Sequence, residues 1–460
     1  MISGERVLKV QKKLFQLSVP IFVESLMGTI IGSIDTIMLS SYSDDAVAAV
    51  SIANQILFLI QVFACIVTTG TSILCAQYIG AKKSEDEQND LIAASILMNI
   101  GIGVILTILM SVFYSKILSF LNLSGQVRDF AGEYLSVINL FLWVHLISLV
   151  FSAVLRSYGK TKQCMYVSMG INVCNIVLNY LLIFGNLGFP KMGIRGAAIA
   201  TVSGRFFGFL ILMWILFDMR RKQSKWRICW KEIVQNIFKV ITYGIPAAGE
   251  QISYNLAQFF VMVFVTMLGM KAVTAQSYIN TCVRFIYIFS VSLGQGAAIM
   301  VGWSAGAGEY EMADKECRFA GRCTFTFSMI MMAVMVFLRN QMFSLFTSDP
   351  EIWALAGTVL IANFLLEIGR SQNLVYVNSL RAVGDVKFPF YIGIVSMWGI
   401  AVGGSYLLGI VLNMELIGIW IAAGLDECFR AVGMWIRWKK KGYTNLILSG
   451  KEKGYKPKNP

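Results

Sequence analysis

Apolar runs of roughly twenty or more residues alternate with short polar breaks along the whole chain, and that length carries an α-helix across the ~30 Å hydrocarbon layer of a bilayer. Twelve such runs can be read, at 17–40, 46–79, 91–115, 129–155, 164–186, 194–218, 236–267, 271–305, 317–339, 351–379, 388–411 and 415–437. Backbone inside lipid has no water to pair with, so each run must be a helix that satisfies its own N–H and C=O groups. The pattern predicts an all-α polytopic membrane protein with twelve transmembrane helices.

The runs are written twice. A shift of 226 residues brings Pro20 onto Pro246, Glu24 onto Glu250, Asn54 onto Asn280, Gly70 onto Gly296 and Gly80-Ala81 onto Gly306-Ala307. Further along the shift is 225: Leu155-Arg156 and Gly159 meet Leu380-Arg381 and Gly384, and Arg205 with Gly208 meets Arg430 with Gly433. Each half holds six runs, an even number, so both halves enter the bilayer in the same direction. Two six-helix lobes related by a parallel pseudo-two-fold axis are expected, with a site where they meet. The division is an N-terminal lobe at 1–219, a cytoplasmic linker at 220–235, a C-terminal lobe at 236–441 and a cytoplasmic tail at 442–460.

Composition agrees: 57% of residues are hydrophobic and 14% charged, against about 25% charged in an ordinary globular domain. The mean hydropathy is +0.66. The net charge of +13 could suggest nucleic acid, so its placement decides. With the N-terminus inside, 29 of the 39 Lys and Arg fall in cytoplasmic segments or the adjoining run ends and six in outside loops or the adjoining run ends. That asymmetry reports orientation, with both termini on the cytoplasmic side of the cell membrane and no nucleic-acid partner. The short basic start and long first run read as a retained span, not a cleaved signal. The nine Cys form no C-x-x-C pair, there is one His, and no G-x-x-x-x-G-K-[ST] loop occurs. Metal frameworks, bound ATP and His-based catalysis are therefore not expected, nor is any cofactor or enzymatic activity.

The polar residues inside the runs are the candidate chemistry. Glu24, Gly28, Gly32 and Asp35 share one helical face in the first run, Glu24 toward the cytoplasmic side. A carboxylate facing lipid costs about 2.5–3.5 kcal/mol or more, so this face turns inward. Asp35 has no counterpart in the second copy, where Val261 stands. Ser168, Asn172, Asn175 and Asn179 line one face of the fifth run. They serve either as hydrogen-bonding glue between helices or, with Asp35, as an oxygen-rich cation or proton site. In the second half, Glu250, Tyr254 and Gln258 share a face, as do Asn280, Arg284 and Tyr287. Glu367 with Arg370, beside Asn373, and Asp426 with Arg430 are spaced to pair along their helices. Arg205 and Arg430 recur at matched positions and read as structural, and His145 reads as a satisfied interior histidine.

With these residues in view, the chain resembles the multidrug and toxic compound extrusion (MATE) transporters over essentially its whole length. The matching pieces run from Pro20 to Asp35, then Gly80-Ala81-Lys82, Leu155-Arg156-x-x-Gly159, Asn175 to Gly185, Gly193-Ile-Arg-Gly-Ala-Ala and Leu380-Arg381-Ala-Val-Gly384-Asp385. The resemblance implies a V-shaped pair of lobes and antiport of organic cations outward against entry of H⁺ or Na⁺. It also implies that Asp35, Asn175 and Asn179, with Asn172 on the same stripe, form the coupling site, which would hold any Na⁺. Some relatives carry Asp at the Asn179 position. Relatives with a C-lobe acid carry it where Arg370 stands here, which leaves Glu250 as the first candidate for a C-lobe gate or cation site, with Glu367, Arg370 and Asn280 beside it. The expected partners are small organic cations and the lipid bilayer, and the expected state is a monomer. The alternative within the superfamily is a lipid-linked oligosaccharide flippase, in which Arg284 and Arg370 would grip a pyrophosphate. Six acids against four Arg in the spans favour cationic cargo.

Overall fold

The computed structural model describes residues 4–121, 123, 125–221 and 229–440. The expected C-terminal tail at 442–460 and residues 222–228 of the linker lie outside the described residues. Among the described residues all regular structure is helical. The principal helices are α1 (Gly4–Ser40), α2 (Asp44–Gly80), α3 (Glu85–Phe120), α4 (Gly125–Leu140), α5 (Leu142–Ser157), α6 (Thr161–Phe184) and α7 (Gly193–Arg221). They continue with α8 (Trp230–Met267), α9 (Met270–Gly306), α10 (Tyr310–Phe337), α11 (Arg339–Ser344), α12 (Pro350–Ala382), α13 (Lys387–Ser396) and α14 (Glu415–Lys439).

Nine of these segments are long and apolar enough to cross a membrane, counting α13 with its π-helical continuation to Val411 as one. The bent pair α4–α5 makes a tenth. The helices α8 and α14 complete the twelve runs read from the sequence. They are less apolar: α14 carries Asp426, Glu427 and Arg430 in its middle, and α8 interrupts its apolar stretch with Glu250, Gln251, Asn255 and Gln258. The run at 129–155 is not one straight helix: it bends by 56° between Leu140 and Leu142. Phe141 leaves helical angles there, at φ −110° and ψ 14°.

Local chemistry sets the helix ends. Ser84 caps α3 reciprocally with Glu87: the Glu87 N–H donates to the Ser84 hydroxyl at 3.3 Å and the Ser84 N–H donates to Glu87 at 3.1 Å. Asp349 caps α12, whose first residue is Pro350, a position that needs no N–H. The two Leu-Arg-x-x-Gly loops close in the same way. Gly159 and Gly384 take φ of 75° and 94°, and each loop is closed by a 2.9 Å backbone bond, Lys160 N–H to Leu155 O or Asp385 N–H to Leu380 O.

The chain forms two compact units, and they interleave in sequence. One comprises 23–75 and 83–244; the other comprises 1–22, 76–82 and 245–460. The boundaries inside α1 and α8 fall beside Pro20 and Pro246, each of which deletes a backbone hydrogen bond of its helix. The halves read from the repeat, 1–219 and 236–441, thus differ from the compact units at 1–22, 76–82 and 236–244. Within the 23–244 unit, Leu39, Ala46, Ala49, Ala53, Ile138, Ile194 and Ala198 share one buried core. Within the other, α12 packs on α14 so closely that a Cβ on Gly369 would sit 2.3 Å from the Cys428 nitrogen. Arg220, expected in the exposed linker, is instead buried at the end of α7. It donates to Asn89 Oδ1 at 2.7 Å and the Glu85 carbonyl at 3.0 Å, and it pairs with the Glu85 carboxylate at 2.9 Å.

Candidate ion-coupling site

Asp35 and the asparagine face of α6 come together. Asn179, 3% exposed, donates from Nδ2 to Asp35 Oδ1 at 2.9 Å. Asn175, one turn earlier on α6, sets one end of its amide 2.9 Å and 3.3 Å from the two Asp35 oxygens. With the amide nitrogen turned to the carboxylate, its oxygen faces Thr201 of α7, 3.3 Å from both hydroxyl and backbone nitrogen. There the Asn175 nitrogen meets both Asp35 oxygens and its oxygen meets Thr201, while the nitrogen also lies 3.1 Å from Asn179 Nδ2, itself a donor. In the opposite orientation the Asn175 oxygen faces Asp35 and its nitrogen donates to the Thr201 hydroxyl. That orientation needs a hydrogen or a cation between the two oxygens. Asn179 Oδ1 is buried with no hydrogen-bond partner among the described residues. Asn172 is half-buried one turn before the pair and takes no part in these bonds.

The sequence reading missed two members of this site, Thr201 and Tyr134. Thr201 also donates to Ala197 O at 3.0 Å, and Tyr134 of α4 faces both Thr201 and Asp35. A threonine and a tyrosine in apolar helices carry little signal by themselves. The only hint was that Thr201 stands one turn before the membrane-embedded Arg205.

Glu24 does not join this site. Eleven residues before Asp35, about 16 Å along the helix, it pairs with Arg156 at 2.7 Å. Its repeat mate Glu250 pairs with Arg381, the repeat mate of Arg156, at 2.6 Å.

The four residues suggested for a C-lobe site are not gathered into one. Arg381, which holds Glu250, lies fourteen residues beyond Glu367 on α12, about 21 Å along the axis. Asn280 is exposed on α9. Glu367 and Arg370 pair at 2.9 Å and belong to a buried network with α14. Arg430 reaches Asp426 at 2.6 Å and Glu427 at 2.9 Å, Arg370 lies 3.9 Å from Glu427, and Asn373 donates to Glu427 at 2.8 Å. Arg370 is thus held by two carboxylates, which removes it from the pyrophosphate grip the flippase alternative needs.

The helical spans and the internal repeat define a polytopic membrane protein. The MatE family model matches the chain twice, over residues 20–181 and 246–407. The matched segments are 226 residues apart, the offset found in the first span. The chain belongs to the MatE family, whose members are transporters. It is 34% identical over 93% of its length to the uncharacterized transporter YisQ of Bacillus subtilis (strain 168), covering 94% of that protein. It is 29% identical over 94% of its length to a probable multidrug resistance protein NorM of Thermotoga maritima, covering 92% of it. The crystal structure of the Vibrio cholerae MATE transporter VcmN in its bent form matches with a TM-score of 0.86 at 18% identity, over 95% of this chain and 98% of that one.

Proposed function

We propose that this protein is a cation-coupled antiporter that exports cationic and amphipathic organic compounds from the cell, with Asp35 as the coupling residue and H⁺ as the coupling ion. The carrying observation is the carboxylate of Asp35 held by Asn179 and facing an Asn175 amide that suits it in either protonation state. Ionised, Asp35 accepts from the nitrogens of both amides. Protonated, it becomes a donor on one oxygen, and Asn175 answers by presenting its own oxygen and turning its nitrogen to Thr201. One proton thus rearranges a contact joining α1, α6 and α7. Proton and drug need only favour different states of that contact for their movements to be coupled.

A second reading has Na⁺ in place of H⁺, and the orphaned Asn179 Oδ1 favours it as a further oxygen ligand beside Asp35 and Asn175. The efflux reading is supported by the relatives named as probable multidrug resistance proteins and by the excess of acids over arginines in the spans. The Lys and Arg asymmetry supports both termini on the cytoplasmic side of the cell membrane, and we take the working unit to be a monomer in the bilayer. The test is efflux of a fluorescent cation such as ethidium from vesicles under an imposed pH gradient or an imposed Na⁺ gradient. Wild type should respond to the pH gradient, and Asp35→Asn should insert normally yet export nothing. Gradient-driven efflux by Asp35→Asn would defeat the proposal, and a response to Na⁺ alone would replace the ion.

A further inference from the structure

The first turns of α10 carry a charge pattern that their place in the fold does not require. Lys315, Arg318 and Arg322 are all exposed and stand at i, i+3 and i+7, on one side of the helix. That side continues as Phe325, Thr326 and Ile330, also exposed, with Phe325 at 38% and Ile330 at 57%. An exposed apolar face on a membrane-spanning helix is covered by lipid. The basic residues therefore head a lipid-facing stripe.

Their depth follows from the helix rise. Arg339 marks the far end of the apolar run, and the ~30 Å hydrocarbon layer takes about twenty helical residues. Counted back from Arg339, the near edge of that layer falls at about residue 319. Lys315 then lies among the headgroups, Arg318 at the boundary, and Arg322 about 5 Å inside it. Arg318 Nε donates to Asp314 at 3.0 Å, and Asp314 also accepts from Trp438 Nε1 of α14 at 2.9 Å. The Arg318 side chain is thus anchored at its base yet 61% exposed. Among the described residues Lys315 and Arg322 have no carboxylate within ion-pair distance. Of the nearby acids, Asp314 is already paired, Glu316 accepts from Ser304 at 2.8 Å, and Glu311 lies a turn farther from the bilayer.

The repeat supplies an internal control, because α3 is the counterpart of α10. At the two offsets found along the repeat, Lys315 falls on Asn89 or Asp90, Arg318 on Ile92 or Ala93, and Arg322 on Ile96 or Leu97. A helix in this place folds without any of the three positive charges.

We infer that this stripe is a binding site for one anionic phospholipid, with its phosphate on Lys315, Arg318 and Arg322 and its acyl chains along Phe325 and Ile330. A single arginine near a helix end reaches water by extending its side chain. Three basic residues spread across the boundary instead concentrate positive charge at the depth of a lipid phosphate, whose oxygens fit a guanidinium fork. A zwitterionic headgroup brings an ammonium that the same residues repel. A soluble phosphate has no chains to cover the apolar part of the stripe. The Lys and Arg asymmetry of the chain assigns this end of α10 to the cytoplasmic leaflet.

The test is native mass spectrometry of the full-length protein in detergent, with added dioleoylphosphatidylglycerol or dioleoylphosphatidylcholine. Wild type should bind the first phosphatidylglycerol about thirtyfold more tightly, the contribution of two unpaired basic residues near the surface. Lys315→Gln/Arg322→Gln keeps the Arg318–Asp314 pair and should bring the two lipids to about equal affinity. Arg322→Gln alone should leave a preference of about fivefold, and it decides the matter if the double variant does not accumulate. Lys160→Gln/Lys162→Gln removes the same charge from the exposed turn between α5 and α6 and should leave the preference within about twofold of wild type. Equal affinities in wild type would overturn the inference, as would an equal loss in the Lys160/Lys162 control, which would make the preference a property of the basic surface at large. Release of the bound lipid by millimolar inorganic phosphate would assign the stripe to soluble anions and overturn it too. Neither Asp35 nor a gradient enters the measurement, so failure of the coupling proposal cannot produce any of these results.

Discussion

The two copies of the repeat treat buried charge in opposite ways. In the second copy, Glu367, Asp426 and Glu427 are knitted to Arg370 and Arg430, and the position matching Asp35 is Val261, packed in the hydrophobic core at 6% exposure. In the first copy Asp35 meets the Asn179 and Asn175 amides and the Tyr134 phenol, and Arg205 meets that phenol and a cavity, neither with an oppositely charged partner among the described residues. The same backbone plan thus carries a nearly neutral network on one side and two uncompensated charges on the other. Charges that cancel internally brace helices. Those left open are positioned to respond to an ion or a ligand, because only they gain from one arriving.

That contrast can be broken most severely at Arg430. Removing it strands Asp426 and Glu427, and leaving buried charge unpaired costs ~3–5 kcal/mol. Arg430→Met is expected to lower the apparent melting temperature of the purified protein sharply, or to prevent its accumulation in the membrane. A variant as stable as wild type would show that the network is not what braces α14 against α12.

The proposed coupling site is expected to be more tolerant at its edge. Thr201→Val keeps the shape of the side chain and removes the hydroxyl that faces Asn175. A single hydrogen bond contributes about 1–1.5 kcal/mol, so efflux should fall by roughly tenfold with expression unchanged. Unaltered efflux would mean that Asn175 does not need Thr201 in either orientation.

Much of this was legible in the chain. The apolar runs located the helices, the even number of runs per half suggested parallel repeats, and helical spacing put Asp35 on an inward face with Asn175 and Asn179 as partners. The residues that escaped did so for physical reasons. Thr201 and Tyr134 are ordinary in apolar helices, and their role appears only when three helices converge. Arg220 sits in a polar, basic stretch that reads as exposed, yet its burial depends on Glu85 and Asn89, some 130 residues earlier. Glu250 looked like a free acid because its partner, Arg381, lies 131 residues away. The bend at Phe141 has neither Pro nor Gly to announce it.

The matched pairs Glu24–Arg156 and Glu250–Arg381 test whether the copies still agree where they look alike. Each pair joins a half-buried arginine to a largely buried glutamate, with arginine side-chain exposures of 29% and 19%. Solvent screening keeps the value of such pairs to about 1 kcal/mol. Glu24→Gln and Glu250→Gln should therefore lower the melting temperature slightly and by similar amounts. A large difference between them would show that one pair has taken on a role beyond bracing its loop.

The smallest expected effect is the most discriminating. Arg205 and Arg430 share a register, so a purely architectural arginine at both sites predicts that both losses are damaging. If Arg205 instead has no counter-charge, its replacement by Met removes an unpaired charge from an apolar surrounding and breaks no ion pair. The expected result is an apparent melting temperature for Arg205→Met equal to wild type or above it. A fall comparable to that of Arg430→Met would mean that Arg205 is neutralised within the protein after all, and the asymmetry between the copies would then be confined to Asp35.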